Sequence, residues 1–135
     1  MVTTNREDYL RALYVMEEKN HEIKSIGIAQ YLNVSKPSVS EMARELSKEG
    51  LVSYKKYSRL RFTQKGRRIA QKLTYKHRLI ELFLKKVLKI DSGSIHDEAH
   101  RLEHAFSDES IEKLRKLLGN PKKDPHGKPI PRPIL

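Results

Sequence analysis

Apolar positions recur at helical spacing over most of this chain, and the exceptions are short. From Asn5 to Glu18, Leu10, Leu13, Tyr14 and Met16 give one apolar face, which predicts a helix with Thr4 as its N-cap. Ser25 to Leu32 reads as a second, short helix capped by Ser25, with Ile28, Ala29 and Leu32 inward. Asn33 and Val34 make a tight turn. Ser35 then caps a third helix that runs through Pro37 to about Glu49, where Gly50 stops it as a C′ residue. Two short strands follow, Leu51 to Lys56 and Leu60 to Thr63, joined at a basic tip by Tyr57-Ser58-Arg59. Thr63 caps a long helix to about Lys89, and some 25 residues would span roughly 37 Å. Its later apolar face is Leu73, Leu79, Ile80, Phe83, Val87 and Leu88. Asp91-Ser92-Gly93 breaks the chain, a fifth helix runs from Ser94 to about Ala105, and Ser107 caps a sixth through about Leu118. From Gly119 the tail holds five of the six prolines and is expected to be irregular. The predicted fold class is mainly α: a winged helix-turn-helix over residues 1–72, then a helical domain over residues 73–135.

Composition narrows the partners. The chain has 135 residues, 37% of them hydrophobic, enough for a modest core. A small second domain would gain by burying apolar surface in a homodimer. The formal charge is +11, and from Lys55 to Lys89 there are thirteen Lys or Arg against one acid, Glu81. Such a stripe beside a DNA-reading element is the footprint of a nucleic-acid binder. There is no cysteine, which excludes disulfides and thiolate zinc sites. No apolar run approaches the ~18 residues of a membrane span. Residues Met1 to Arg6 lack the apolar core of a signal peptide, so the expected location is the cytoplasm, with no membrane partner.

Helix, tight turn, helix and hairpin together make a winged helix-turn-helix, whose third helix projects its N-terminal residues into the major groove. Ser35, Lys36, Pro37, Ser38, Ser40 and Glu41 occupy that first turn and a half. They are small or polar, as residues approaching base edges must be. Glu41 is the exception in sign: DNA repels an acid unless it accepts from cytosine N4. Lys55, Lys56, Arg59 and Arg61 of the wing can lie along phosphates, which position the protein without reading sequence.

The histidines carry the second line of chemistry. The fifth helix reads His96-x-x-x-His100-x-x-Glu103-His104, and positions i, i+4, i+7 and i+8 share a face. Three imidazoles and a carboxylate there form an odd solvated surface but an ordinary ligand set for a divalent transition metal. His77 and Glu81 are an i, i+4 pair on the long helix. Asp124-Pro125-His126 offers another carboxylate and imidazole on a bent loop, and Asp8 is a carboxylate at the edge of an apolar face. His21 reads as an ordinary exposed side chain. The spacing is not His-Glu-x-x-His, so no hydrolase motif stands behind it.

These residues resemble the diphtheria toxin repressor and manganese transport regulator (DtxR/MntR) family of metal-dependent repressors. The resemblance runs from Glu7-Asp8-Tyr9-Leu10-Arg11-Ala12-Leu13-Tyr14 through Ser35-Lys36-Pro37-Ser38-Val39-Ser40, Thr63-Gln64-Lys65-Gly66 and Lys76-His77-Arg78-Leu79. It continues over residues His96 to His104 and ends with Pro125-His126-Gly127-Lys128-Pro129-Ile130-Pro131. It implies a winged helix followed by a small helical domain that dimerises and carries metal, in a short form without the SH3-like domain of many members. It further implies a main regulatory site from Asp8, His100, Glu103 and His104, and a second site from His77 and Glu81. The third partner of the second site is either His96, as in the iron-responsive branch, or Asp124 and His126, as in members with a Cys-Pro-His-Gly loop. Three positions depart from the family pattern. Asp8 stands where the iron branch has methionine. His100 stands where that branch has cysteine and the manganese branch has glutamate. Arg11 stands where the binuclear manganese regulators have a further glutamate.

The resulting expectation is a repressor of metal-uptake genes that binds a palindromic double-stranded operator as a homodimer. Oxygen and nitrogen ligation without sulfur favours Mn(II) over Fe(II), with Zn(II) or Co(II) able to occupy the sites in vitro. No small-molecule substrate is expected. The rivals are a winged-helix protein whose metal is purely structural, and a small metal-dependent hydrolase, which would need an open coordination position and a cleft.

Overall fold

The computed structural model describes residues 6–55 and 59–133. The expected cap Thr4, the helix start Asn5 and the wing residues Lys56, Tyr57 and Ser58 lie outside them. The described residues fall into two compact units, one up to Gln71 and one from Lys72 onward.

The N-terminal unit contains α1 (Arg6–Asn20), β1 (Ile23–Lys24), α2 (Ser25–Leu32), α3 (Lys36–Lys48), β2 (Val52–Lys55), β3 (Arg59–Phe62) and the first turns of α4 (Gln64–Lys86). α1 packs on α2, α2 on α3, and α3 on β2. Leu10, Leu13, Ile28, Val39, Leu46 and Leu51 are fully buried. α1 ends where His21 turns left-handed, φ 58°, and donates its N–H to Glu17 O at 2.9 Å. The turn between α2 and α3 closes at Asn33, φ 55°, a conformation Asn tolerates better than most residues. Ser35 caps α3 as expected, accepting from Ser38 N at 3.2 Å, and Gly50 follows the helix with φ +75°. Two expectations are corrected. Ser25 is not a cap: Lys24, extended in β1, holds that place, with no side-chain hydrogen bond. The wing has three strands, in the order β1-β3-β2, all antiparallel. Arg59 therefore sits within β3, opposite both Lys24 and Lys55, and not in the connecting turn.

Thr63 joins the wing to α4. Its hydroxyl donates to Gly50 O at 2.7 Å and accepts from Gly66 N at 3.0 Å, which caps the helix. Gly66 faces the Leu51 carbonyl so closely that a Cβ would lie 1.8 Å from that oxygen.

The C-terminal unit holds the rest of α4, α5 (Ile95–Glu103) and α6 (Asp108–Leu117). Tyr75, Leu79, Ile80, Leu82 and Leu84 of α4 pack with Ile95, Ala99, Ile111, Leu114 and Ile130. Ser107 caps α6 by accepting from Ser110 N at 3.0 Å. α4 stops three residues short of Lys89, so Val87 and Leu88 are half exposed, 49% and 51%, instead of completing its apolar face. Among its described residues the tail holds no helix or long strand, yet its backbone is hydrogen-bonded. Asp124 N donates to Lys128 O and Ile130 N to Lys122 O, both at 2.8 Å. Arg78 of α4 donates to Pro129 O at 2.6 Å. No helix among the described residues is long and apolar enough to cross a membrane.

Candidate functional site

α3 presents the polar surface that the sequence placed on it. Val39, Ala43 and Leu46 are buried and fix the helix by one face. Ser35, Lys36, Pro37, Ser38 and Glu41 are exposed on the other, and Ser40 is half-buried. The cap at Ser35 leaves its first turn ordered and outward. Arg44 continues the exposed face one turn beyond Glu41. Sequence reasoning stopped short of it, although i+3 spacing from Glu41 was signal enough. Glu41 also acts inward: burial, then the Glu41 charge, pushes the Tyr9 hydroxyl above its ordinary value. In the wing, Arg61 is exposed and Arg59 lies 3.6 Å from Glu22, a loose pair. Lys55 ends β2, while its side chain, like Lys56, lies outside the described residues.

In the C-terminal unit the helices bring imidazoles and carboxylates together. His77, Glu81 and His96 each offer a ligand atom within 4.8 Å of the others, and so do His100, Glu103 and His104. The single face read along α5 therefore divides: His96, one turn earlier, turns to α4, while the last turn and its cap supply the other group. α4 spaces His77 and Glu81 by one turn, and His77 Nε2 lies 3.1 Å from Glu81 Oε1. Both side chains are about 95% buried, at 5% and 4% exposure. Glu81 Oε2 accepts no hydrogen bond. It lies 3.4 Å from His126 Nε2 and 4.0 Å from His96 Nδ1. Burial would raise the Glu81 carboxyl, but the hydrogen bond from His77 and the imidazoles of His77, His96 and His126 outweigh it and hold the group below its ordinary value. An ionised, buried carboxylate with a vacant lone pair and three imidazoles beside it is a donor set suited to a divalent cation. The residues present thus fit a metal ion.

Asp124 is buried, and its Oδ1 accepts from the backbone N–H groups of His126 and Lys128, both at 2.8 Å. That oxygen builds the loop that presents His126. Asp8 is a buried residue of α1 in the N-terminal unit. His21 is exposed and ends α1.

A winged helix with a polar recognition helix, in a chain that also carries a helical unit with imidazole–carboxylate groups, defines a metal-responsive DNA-binding regulator as a class. The comparisons with known proteins give the family. Residues 1–60 match the N-terminal DNA-binding domain of the iron-dependent repressors, and residues 63–132 match their metal-binding and dimerisation domain. The chain belongs to this family of metal-dependent transcriptional repressors, which are regulators and not enzymes. It is 39% identical over 110 residues to an HTH-type transcriptional regulator of Methanocaldococcus jannaschii, covering 81% of this chain and 88% of that one. It is 38% identical over 125 residues to the diphtheria toxin repressor of Corynebacterium diphtheriae, covering 93% of this chain but 55% of that one. The solved structure of the manganese regulator SloR superposes with a TM-score of 0.86 at 42% identity, over 99% of this chain and 64% of that one. The chain thus spans little more than half the length of the toxin repressor.

Proposed function

We propose that this protein is a homodimeric repressor whose affinity for a palindromic operator rises when it binds a divalent metal ion, Mn(II) in preference to Fe(II). The observation that carries the reading is the pair of imidazole–carboxylate groups in the C-terminal unit, where Glu81 and Glu103 are buried among histidines. His100, Glu103 and His104 hold the regulatory ion, and the family resemblance adds Asp8 as its fourth ligand. His77, Glu81 and His96, with His126 beside Glu81, hold a second. When bound, such an ion would supply a Lewis-acidic centre for these side chains to coordinate. The side chains do the rest: they fix the helices that carry them, and two recognition helices so fixed can meet half-sites one helical turn apart. Ser35, Lys36, Pro37, Ser38, Ser40, Glu41 and Arg44 face the bases, and Lys55, Lys56, Arg59 and Arg61 the phosphates. Manganese is preferred because every donor is oxygen or nitrogen, and because the structurally similar SloR is a manganese regulator. Metal-uptake genes are the fitting targets, and the cytoplasm the fitting compartment.

The test is fluorescence anisotropy on DNA from upstream of the protein's own gene, at one salt concentration, with chelator, Mn(II) or anaerobic Fe(II). Tightening by about tenfold, or 1.4 kcal/mol, with one metal and not with chelator is expected, and Asp8→Ala should remove it. Equal affinity in all three conditions, on DNA the protein protects from nuclease, would reduce the metal to a structural role.

A further inference from the structure

We propose that Glu41 and Arg44 set the operator sequence, Glu41 accepting a hydrogen bond from cytosine N4 and Arg44 donating to guanine O6 and N7 at the neighbouring base pair. The proposal rests on the DNA-binding reading above and names the bases that α3 selects.

Val39, Ala43 and Leu46 bury one side of α3. At about 100° per residue they fall within about 60° of one another, while Glu41 and Arg44 lie about 200° and 140° from Val39. Both side chains are exposed, so they occupy the ridge opposite the buried side, the part of a recognition helix that enters the major groove. They are three residues apart, or about 4.5 Å along the helix axis. That is close to the roughly 3.4 Å between successive base pairs, so the two reach neighbouring pairs. Their chemistry is complementary. An ionised carboxylate only accepts, and a guanidinium only donates. In the major groove guanine shows the acceptors N7 and O6 and thymine shows O4, and all of these repel a carboxylate. Adenine sets its N6 donor beside the N7 acceptor. Cytosine shows the N4 donor with no acceptor on its edge, so it alone receives Glu41 without opposition. Guanine O6 and N7 match the fork of N–H groups on Arg44. The first turn of α3 discriminates less. Ser35 and Ser38 both donate and accept, and their hydroxyls lie 2.8 Å apart, bonded to each other. Glu41 also acts by exclusion: against any other base its charge is unpaired beside the phosphates, and wrong sites lose affinity.

The experiment uses the full chain with Mn(II) to select duplexes from a randomised pool at one salt concentration. Affinity for the enriched site is then measured by fluorescence anisotropy. The expected site holds a cytosine and a guanine at neighbouring base pairs in each half. Methylating that cytosine at N4 blocks the donor, and should weaken wild type about tenfold but Glu41→Ala by no more than about twofold. Glu41→Gln should move the preference at that base pair from cytosine to adenine, whose N6 and N7 an amide bonds together. Wild type should bind about tenfold more weakly when adenine replaces the guanine, and Arg44→Ala by no more than about twofold. Unchanged base preferences in both variants overturn the proposal. So does a Glu41→Ala that tightens binding to every sequence alike, the mark of an acid that merely repels phosphate. An enriched palindrome whose bases are indifferent to both substitutions defeats the base assignment and leaves the proposed function standing, whereas a pool that yields no enriched sequence defeats both.

Discussion

At Gly66 the fold has room for a hydrogen atom and nothing larger. A Cβ there would meet the Leu51 carbonyl oxygen at 1.8 Å, and the obstacle is backbone, which cannot rotate away. Gly66→Ala should cost about 2–3 kcal/mol, read as a drop in the urea midpoint at unchanged slope. A neutral substitution would mean that α4 slides freely past the wing. Apolar periodicity gave no reason for this glycine, because the residue it touches is fifteen positions away. Asp124 teaches the same lesson. Its place beside Pro125 and His126 offers a carboxylate next to an imidazole, but spacing says nothing of the loop-building role, and only coordinates show two N–H groups donating to Oδ1. Asp124→Ala should lower stability by about 2 kcal/mol in the metal-free protein, while Asp124→Asn, which keeps an acceptor oxygen, should lose less. Equal losses would make the side chain's volume, and not its hydrogen bonds, the important term.

Elements were legible wherever their causes are local. Ser35 and Ser107 announced their helices because a cap reaches only three residues ahead. Ser25 misled because Lys24 is taken up by a strand of two residues, too short to leave a pattern, whose partner β3 is far along the chain. Val87 and Leu88 prolonged the apparent face of α4, but periodicity does not report where a helix ends. At the start of α6 the charges make a prediction about pH. The hydrogen bond from Lys72 at 2.7 Å, with Lys76 at 3.4 Å, holds the Asp108 carboxyl below its ordinary range. A depressed folded-state pKa stabilises above the unfolded value, about 3.9, and that contribution disappears as pH falls through the folded value. Because Asp108 is 46% exposed, solvent screens the pair and its worth stays under about 1 kcal/mol. Wild type should exceed Asp108→Asn in stability near pH 6 and match it below about pH 3. A gap that persists in acid would point to the helix start rather than to the ion pair.

Across the whole molecule, the sequence displayed the ligand types and the basic charge, because both are matters of composition and spacing. Which imidazole joins which carboxylate is open at the level of sequence, because that depends on how α4, α5 and the tail pack. The charge of +11 draws the protein to any DNA, so affinity alone does not establish regulation. Salt separates the two effects. Phosphate contacts make log affinity fall with log salt at a slope of about −0.9 per phosphate neutralised. An ion that merely added positive charge would steepen that slope, and its benefit would shrink as salt rises. An ion that instead fixes the recognition helices changes how many protein molecules are competent to bind, and that factor is independent of counterions. The ratio of affinities with and without Mn(II) should therefore stay within about twofold between roughly 0.1 and 0.4 M salt, while both affinities fall together. A ratio that decays toward one over that range would show the metal acting as charge, and would remove the conformational mechanism while sparing the metal sites themselves.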